Sequence, residues 1–356
     1  MHTTFNRSIG LRNRGWCESE YMPWVLFLVS ALVIVVTGTK LSQYGDRIAE
    51  YSGLGRLWVG AVLLAAATSL PEVFTAASAT LMNEPDIAVG DLLGAGLNNM
   101  LILAILDLAY RGKRVWQQAA MEQLLLASLA LTLTGLAGLL IMIQPSLAVW
   151  HTGLGTSAMT LIYVFGMRVV FRQEDMRRRN AQLGQIVAKE TTVTPTSMTG
   201  ELKRAVIGFT IMSSAILLAA PVLAHSAKDI AEITGLSTSF VGTTLVAIAT
   251  SLPELVTSLT AVRIGAFDLA VGNLFGSNAF NMAALFVADV TYSKSPLLAG
   301  VKSTHAVTAF LVILLMSIAA MGIVYRAEKR FILVEPDSYL LIVGYLLGIG
   351  LLFSIG

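Results

Sequence analysis

The sequence predicts an all-α polytopic membrane protein whose ten transmembrane helices form two inverted five-helix repeats. Three observations carry this expectation. First, 55% of the 356 residues are hydrophobic and only 13% charged, and apolar runs of about 20 residues, the length that crosses a bilayer, recur along the chain. Second, Ala67-Thr68-Ser69-Leu70-Pro71-Glu72 returns unchanged as Ala249-Thr250-Ser251-Leu252-Pro253-Glu254, 182 residues later, and nearly half of the positions from Ile48 to Asp107 match at that offset without a gap. Third, each half holds an odd number of spans, so the second copy must enter the membrane upside down.

The spans are read at 22–41, 57–81, 86–110, 119–143 and 147–171, then at 205–225, 237–262, 266–290, 303–325 and 337–355. The first lacks a small-x-small cleavage site and reads as a retained span, not a signal peptide. The chain thus divides into a first repeat (1–171, signature 59–107), a polar segment (172–204) and a second repeat (205–356, signature 241–289). The polar segment contains Arg177-Arg178-Arg179 and a Thr-rich patch from Thr191 to Thr199. It is too short for a folded domain and reads as a solvated linker. With the N-terminus outside, most Lys and Arg between spans face one side. The positive-inside rule then puts the linker in the cytoplasm and both termini outside, in a plasma or inner membrane.

Composition narrows the chemistry. A single cysteine, Cys17, excludes an internal disulfide and any multi-thiolate metal site, and His2, His151, His225 and His305 have no metal-ligand spacing. No enzyme, cofactor or nucleic-acid partner is expected. The partners read from the chain are metal cations and the lipid bilayer, and no oligomeric state is read from it.

Burying a carboxylate in a membrane is expensive, and a chain that does so twice in one context reads as handling ions. Pro71 lacks an N–H and disrupts the bond to the carbonyl of Ala67; Pro253 does the same to Ala249. Each helix is expected to break there, exposing backbone oxygens beside Glu72 or Glu254. Freed carbonyls and carboxylates make a hard oxygen environment suited to Ca2+ or Na+; the alternative is a simple kink. Thr68 and Ser69 share a helix face with Glu72, and Thr250 and Ser251 repeat the arrangement before Glu254. Such hydroxyls often only bond back to their own helix, but both flank the glutamate in both halves.

The next span of each half adds a polar stripe: Asn273, Ser277 and Asn281 in the second, Asp91, Ala95 and Asn99 in the first. These read as ligands or as amide contacts between helices. Glycines 90, 94, 272 and 276 adjoin the stripes and would let helices approach closely. Asp91 has no acidic mate, since Asn273 is its counterpart; it either adds a third charge to the site or pairs with a base. Asp86 and Asp268 read as helix caps. Asp107, near Arg111 and Arg114, reads as half of an interfacial ion pair.

Two stretches, GAVLLAAATSLPEVFTAASA with DIAVGDLLGAGLNN and GTTLVAIATSLPELVTSLTA with DLAVGNLFGSNAFN, resemble the two signature regions of the calcium/cation antiporter superfamily, most closely its sodium/calcium exchanger branch. GTKLSQYGDRIAE, from Gly38 to Glu50, resembles the end of that family's first span. The resemblance implies two inverted five-helix repeats with ion sites between them. It makes Glu72 and Glu254 the calcium carboxylates, Thr68 and Thr250 donors of backbone oxygens, and Ser69 and Ser251 close neighbours. It assigns the Ala65 and Ala247 carbonyls to flanking sodium sites, and Asn99, Asn281 and Ser277 to polar ligands on the companion spans. The chain departs at Ala95 and Gly96, where the second signature has a serine and an asparagine, and at Asp91, where the family has asparagine.

The expected function is antiport of Ca2+ against Na+ by alternating access, two helices moving against the remaining bundle. Ca2+/H+ or K+-dependent exchange on the same fold is the near alternative, and a non-transporting receptor or scaffold the distant one. An intramembrane aspartyl protease is disfavoured, because Ala88 stands where the Gly-x-Gly-Asp pattern before Asp91 needs glycine and no second such aspartate follows.

Overall fold

The structure, a computed structural model, describes residues 21–109, 123–186, 195–234, 247–325 and 336–355. Helices dominate it. α1 is Met22–Ser52 and α2 Arg56–Leu81; α3 is Pro85–Ala109 and α4 Gln123–Ile143. A two-stranded antiparallel turn, β1 (Ala148–Val149) with β2 (Thr152–Gly153), leads into α5 (Leu154–Ile186). α6 is Pro195–Thr234, α7 Ala247–Thr250, α8 Leu252–Arg263 and α9 Phe267–Thr291. A 3-10 turn at Leu297–Ala299 precedes α10 (Thr304–Tyr325) and α11 (Pro336–Ile355). Among the described residues eight helices, α1 to α6, α10 and α11, are long and apolar enough to cross a membrane. The second signature falls outside that group. Residues 235–246 lie outside the described residues, and Asn273, Asn278 and Asn281 lower the hydropathy of α9.

The polar segment, expected as a solvated linker, is helical over much of its length. α5 continues through Arg172 to Ile186 and α6 begins at Pro195, leaving only 187–194 outside the described residues. Gln173, Glu174, Met176, Arg177 to Arg179, Ala181 and Gln182 are good helix formers, and no Gly or Pro interrupts them before Gly184. Buried Glu174 accepts the Trp58 N–H at 3.0 Å, satisfying a donor that the start of α2 leaves free. Trp58 and Phe171 meet edge to face at 5.8 Å. The segment between the repeats is thereby fastened to the helix that carries the first motif.

α9 is the centre of the molecule. It packs against α2, α3, α4, α5 and α8, and almost every residue from Phe267 to Leu285 is buried. Its approach to α2 is backbone to backbone. A Cβ built on Gly276 would lie 2.5 Å from the Ala61 carbonyl oxygen, and one on Gly60 would lie 2.5 Å from that of Leu269. The contact coincides with a π-helical turn in α2, Val59–Leu64, a widening that recurs at functional sites. In the first repeat, Gly90 meets the His305 ring instead, and Gly94 has no described atom within 4 Å; residue 243, the counterpart of Ala61, lies outside the described residues.

α1 and α6 pack chiefly on each other and lie against α2, α7 and α8. Their outward faces are apolar and open: Leu28, Leu32 and Leu218 are 65%, 64% and 74% exposed. In water such faces would be costly; in a bilayer they are solvated by lipid. Gly276→Ala should overpack the α2–α9 contact at a cost of about 1–3 kcal/mol, lowering the melting temperature in detergent. Gly350→Ala, where a Cβ meets nothing within 4 Å, should leave it unchanged. Equal melting of the two variants would rule out the tight contact.

Candidate functional site

The two copies of the hexapeptide fold differently. Pro71 sits inside α2 without ending it: the α-helical part runs unbroken from Ala65 to Leu81. In lipid each broken backbone bond is costly, so the helix gives up only the bond that proline cannot make. In the second copy the chain does break, at Ser251 (φ −84°, ψ 3°), between α7 and α8, with Pro253 in the first turn of α8. The expectation of a broken helix in each half therefore holds for the second and is corrected for the first, whose irregularity is the π-helical stretch Val59–Leu64, ending about two turns before Pro71.

Glu72 and Glu254 are 1% and 2% exposed. The Ser69 hydroxyl, one turn before Glu72, donates to Glu254 Oε1 at 3.3 Å, joining the two motifs. Glu72 lies within electrostatic reach of both Glu254 and Asp91. Thr68 Oγ1 is 3.1 Å from the Leu64 carbonyl, 3.3 Å from that of Ala65 and 3.4 Å from Asn273 Oδ1. Asn273 in turn donates to Thr257 Oγ1 at 3.2 Å and Ser258 Oγ at 3.0 Å, so it ties α8 to α2 from α9. Asn99 donates to Asn278 Oδ1 at 2.8 Å, joining α3 to α9. Gly96, the repeat counterpart of Asn278, packs on Val312, where a built Cβ would lie 3.1 Å from Cγ1.

The site is defined by what its atoms lack. Among the described residues both oxygens of Glu72, Glu254 Oε2, Asp91 Oδ2, Asn99 Oδ1, Ser277 Oγ and both polar atoms of Asn281 are buried without a hydrogen-bond partner. Isolated orphans of this kind are rare in folded proteins, and here they are concentrated along the two motifs and their companion helices. Among the described residues no Lys, Arg or His forms an ion pair with Glu72, Glu254 or Asp91. Two carboxylates among amide, hydroxyl and carbonyl oxygens suit a hard cation that takes oxygen ligands.

The expected residues divide accordingly. Glu72, Glu254, Ser69, Thr68 and the Ala65 carbonyl share one neighbourhood; Asn99, Ser277 and Asn281 are buried on the companion helices. Thr250 and Ser251 are buried at the helix break. Ala247 begins α7, with its side chain outside the described residues. Asp91 is half-buried, with Oδ2 itself out of water and within electrostatic reach of Glu72.

Several polar residues went unread in the sequence. Asn278 and Thr257 are engaged as above, and Asn98 bridges Ser251 Oγ (3.0 Å) and the Tyr345 hydroxyl (2.9 Å). Thr257 matches Thr75 across the repeats, a signal that was available; Asn98 faces Phe280 in the alignment of repeats and has none. Asp86 does not cap its own helix: it accepts the Lys302 N–H at 2.8 Å and lies 3.0 Å from His305 Nε2, holding the start of α10. Asp107 accepts from the Ser338 hydroxyl at 2.9 Å, while Arg111 and Arg114 lie outside the described residues. Asp289, its counterpart, takes the Gly153 and Leu297 N–H groups at 2.8 and 2.7 Å and the Thr156 hydroxyl, a structural anchor.

Several known proteins resemble this chain. The putative antiporter CaxA of Alkalimonas amylolytica is 27% identical over 304 residues, 82% of this chain and 89% of that protein. The inner membrane protein YrbG of Escherichia coli (strain K12) is 27% identical over 258 residues, 72% of this chain and 76% of that one. Among solved structures, the sodium-calcium exchanger NCX_Mj soaked with 10 mM Na+ and zero Ca2+ superimposes with a TM-score of 0.71 at 18% identity, covering 93% of this chain and 99% of that one, a likeness of fold. The description "Sodium/calcium exchanger protein" matches residues 22–171 and 204–354, one block on each repeat. The chain belongs to the sodium/calcium exchanger protein family.

Proposed function

We propose that this chain exchanges Ca2+ for Na+ across a membrane by alternating access, with Glu72 and Glu254 as the charged ligands of the transported Ca2+. The observation that carries this reading is the Ser69–Glu254 bond between the two motif copies, set among buried oxygens that have no protein donor. Two carboxylates neutralise one divalent cation. Without a cation they repel in a medium of low dielectric, so the protein reorients readily only when the site is loaded with Ca2+ or refilled by monovalent ions. Competition for the same oxygens couples the two fluxes. The flanking monovalent positions are unequal: the second repeat offers Ser277 Oγ, the first only the methyl of Ala95.

The helices α7 and α8, with the stretch before them, and α9 would complete ten spans in two inverted repeats, 1–171 and 205–356. In this reading the segment 172–204 is cytoplasmic and both termini face outward, in a plasma or inner membrane. The pair α1 and α6, packed on each other and on the motif helices, is suited to move against the rest.

Three measurements test this. Proteoliposomes loaded with Ca2+ should release it when a Na+ gradient is imposed, and Glu72→Gln or Glu254→Gln should slow release about 100-fold, the loss expected for breaking a buried charge arrangement worth about 3 kcal/mol. Normal flux in either variant would refute the ligand assignment; full activity with a K+ or pH gradient alone would reassign the driving ion. Ca2+ at about 100 times its Kd should stabilise the protein by about 2.7 kcal/mol, seen as a higher melting temperature that the same variants lose. A membrane-impermeant maleimide should label Cys17, the one cysteine of the chain, in intact cells; labelling only after lysis would invert the topology.

A further inference from the structure

The repeats place one pair of positions in matching contact twice, with opposite chemistry. Tyr163 and Tyr345 are repeat counterparts, as are Phe280 and Asn98, and Ser69 and Ser251. In one copy Tyr163 packs edge-on against Phe280, with ring centroids 6.2 Å apart. Phe280 offers no hydrogen bond, and the Ser69 hydroxyl donates to Glu254. In the other copy the Tyr345 hydroxyl donates to Asn98 Oδ1 at 2.9 Å, which turns the amide nitrogen toward Ser251 Oγ at 3.0 Å. Symmetry would have Ser251 donate to Glu72, as Ser69 does to Glu254. Among the described residues Glu72 has no partner on either oxygen.

We propose that Asn98 and Tyr345 are positioning residues that hold the Ser251 hydroxyl away from Glu72, leaving one carboxylate open and the other tethered. The inference rests on the reading of Glu72 and Glu254 as the cation ligands. Glu72 then presents both oxygens to an arriving divalent cation with no hydrogen bond to break. Glu254 keeps one oxygen on Ser69 and has one to offer. Phe280 in place of an asparagine is what withholds the same device from the second carboxylate.

The consequence is specific. Tyr345→Phe removes the hydroxyl that orients the Asn98 amide, loosens the hold of that amide on the Ser251 oxygen and lets Ser251 turn its O–H to Glu72, an anion-assisted bond that Ca2+ must displace. Calcium binding to the full chain in detergent, measured by titration calorimetry in Na+-free buffer, should weaken about three- to tenfold. Asn98→Ala should act in the same direction. In a Ser251→Ala background Tyr345→Phe should have no further effect, because the hydroxyl through which it acts is gone. An unchanged Kd in both Tyr345→Phe and Asn98→Ala, or an equal loss in the Ser251→Ala background, would overturn the proposal; the latter would make Tyr345 a packing residue only. If wild-type protein binds Ca2+ and the single variants match it, the relay alone fails. Absence of Ca2+ binding by the wild type would overturn the relay and the ligand assignment together.

Discussion

Two carboxylates held out of water without a basic partner are the constraint on which the rest of this structure depends. Glu72 and Glu254 are almost wholly buried, and no described cationic side chain reaches them. Such a pair is costly in a medium of low dielectric unless it is neutralised. The surroundings are rich in oxygen. Hydroxyls precede each glutamate by one turn, amides line the companion helices, and proline withdraws an N–H from the helix beside each carboxylate. The buttressing bonds of Asn273 and Asn278 hold four helices in register around the pair.

Backbone contact supplies the rigidity that this arrangement needs. α2 and α9 approach until carbonyls stand where side chains would be, at Gly60 and Gly276, and the widened turn of α2 lies at that contact. In lipid the hydrophobic effect does not drive helices together, so close packing of small residues and hydrogen bonds between helices must do so. Glu174 extends the same fastening to the segment between the repeats by accepting the Trp58 N–H in the first turn of α2.

Duplication supplied the plan, and divergence made the halves unequal. An identical hexapeptide is continuous helix in α2 and breaks at Ser251, and its neighbours differ as well: Asn98 engages Ser251, whereas Phe280 leaves Ser69 to Glu254. Gly96 stands at the repeat position of Asn278 and has no amide, so the amide bridge between α3 and α9 exists once and not twice. The two carboxylates are thus related by descent but not by environment.

The sequence by itself determined the membrane class, the twofold plan and the identity of the acidic pair. Each is written in local chemistry, as apolar length, an exact repeat and a charge where none is cheap. It also marked Thr68, Ser69 and the companion stripe, because helical spacing puts residues three and four apart on one face. Local chemistry misled where partners are distant. Proline alone predicts a break in both helices, but only the second parts. The polar run after Arg172 read as a solvated linker, and only the structure adds that α5 runs through it to Ile186, with Glu174 buried against α2. The bridge from Tyr345 through Asn98 to Ser251 spans residues far apart in the chain, and no periodicity records a bond between them. Only the packing of α3, α7, α8 and α11 decided it, because a hydrogen bond depends on the meeting of two atoms and not on the spacing of either one along its own helix.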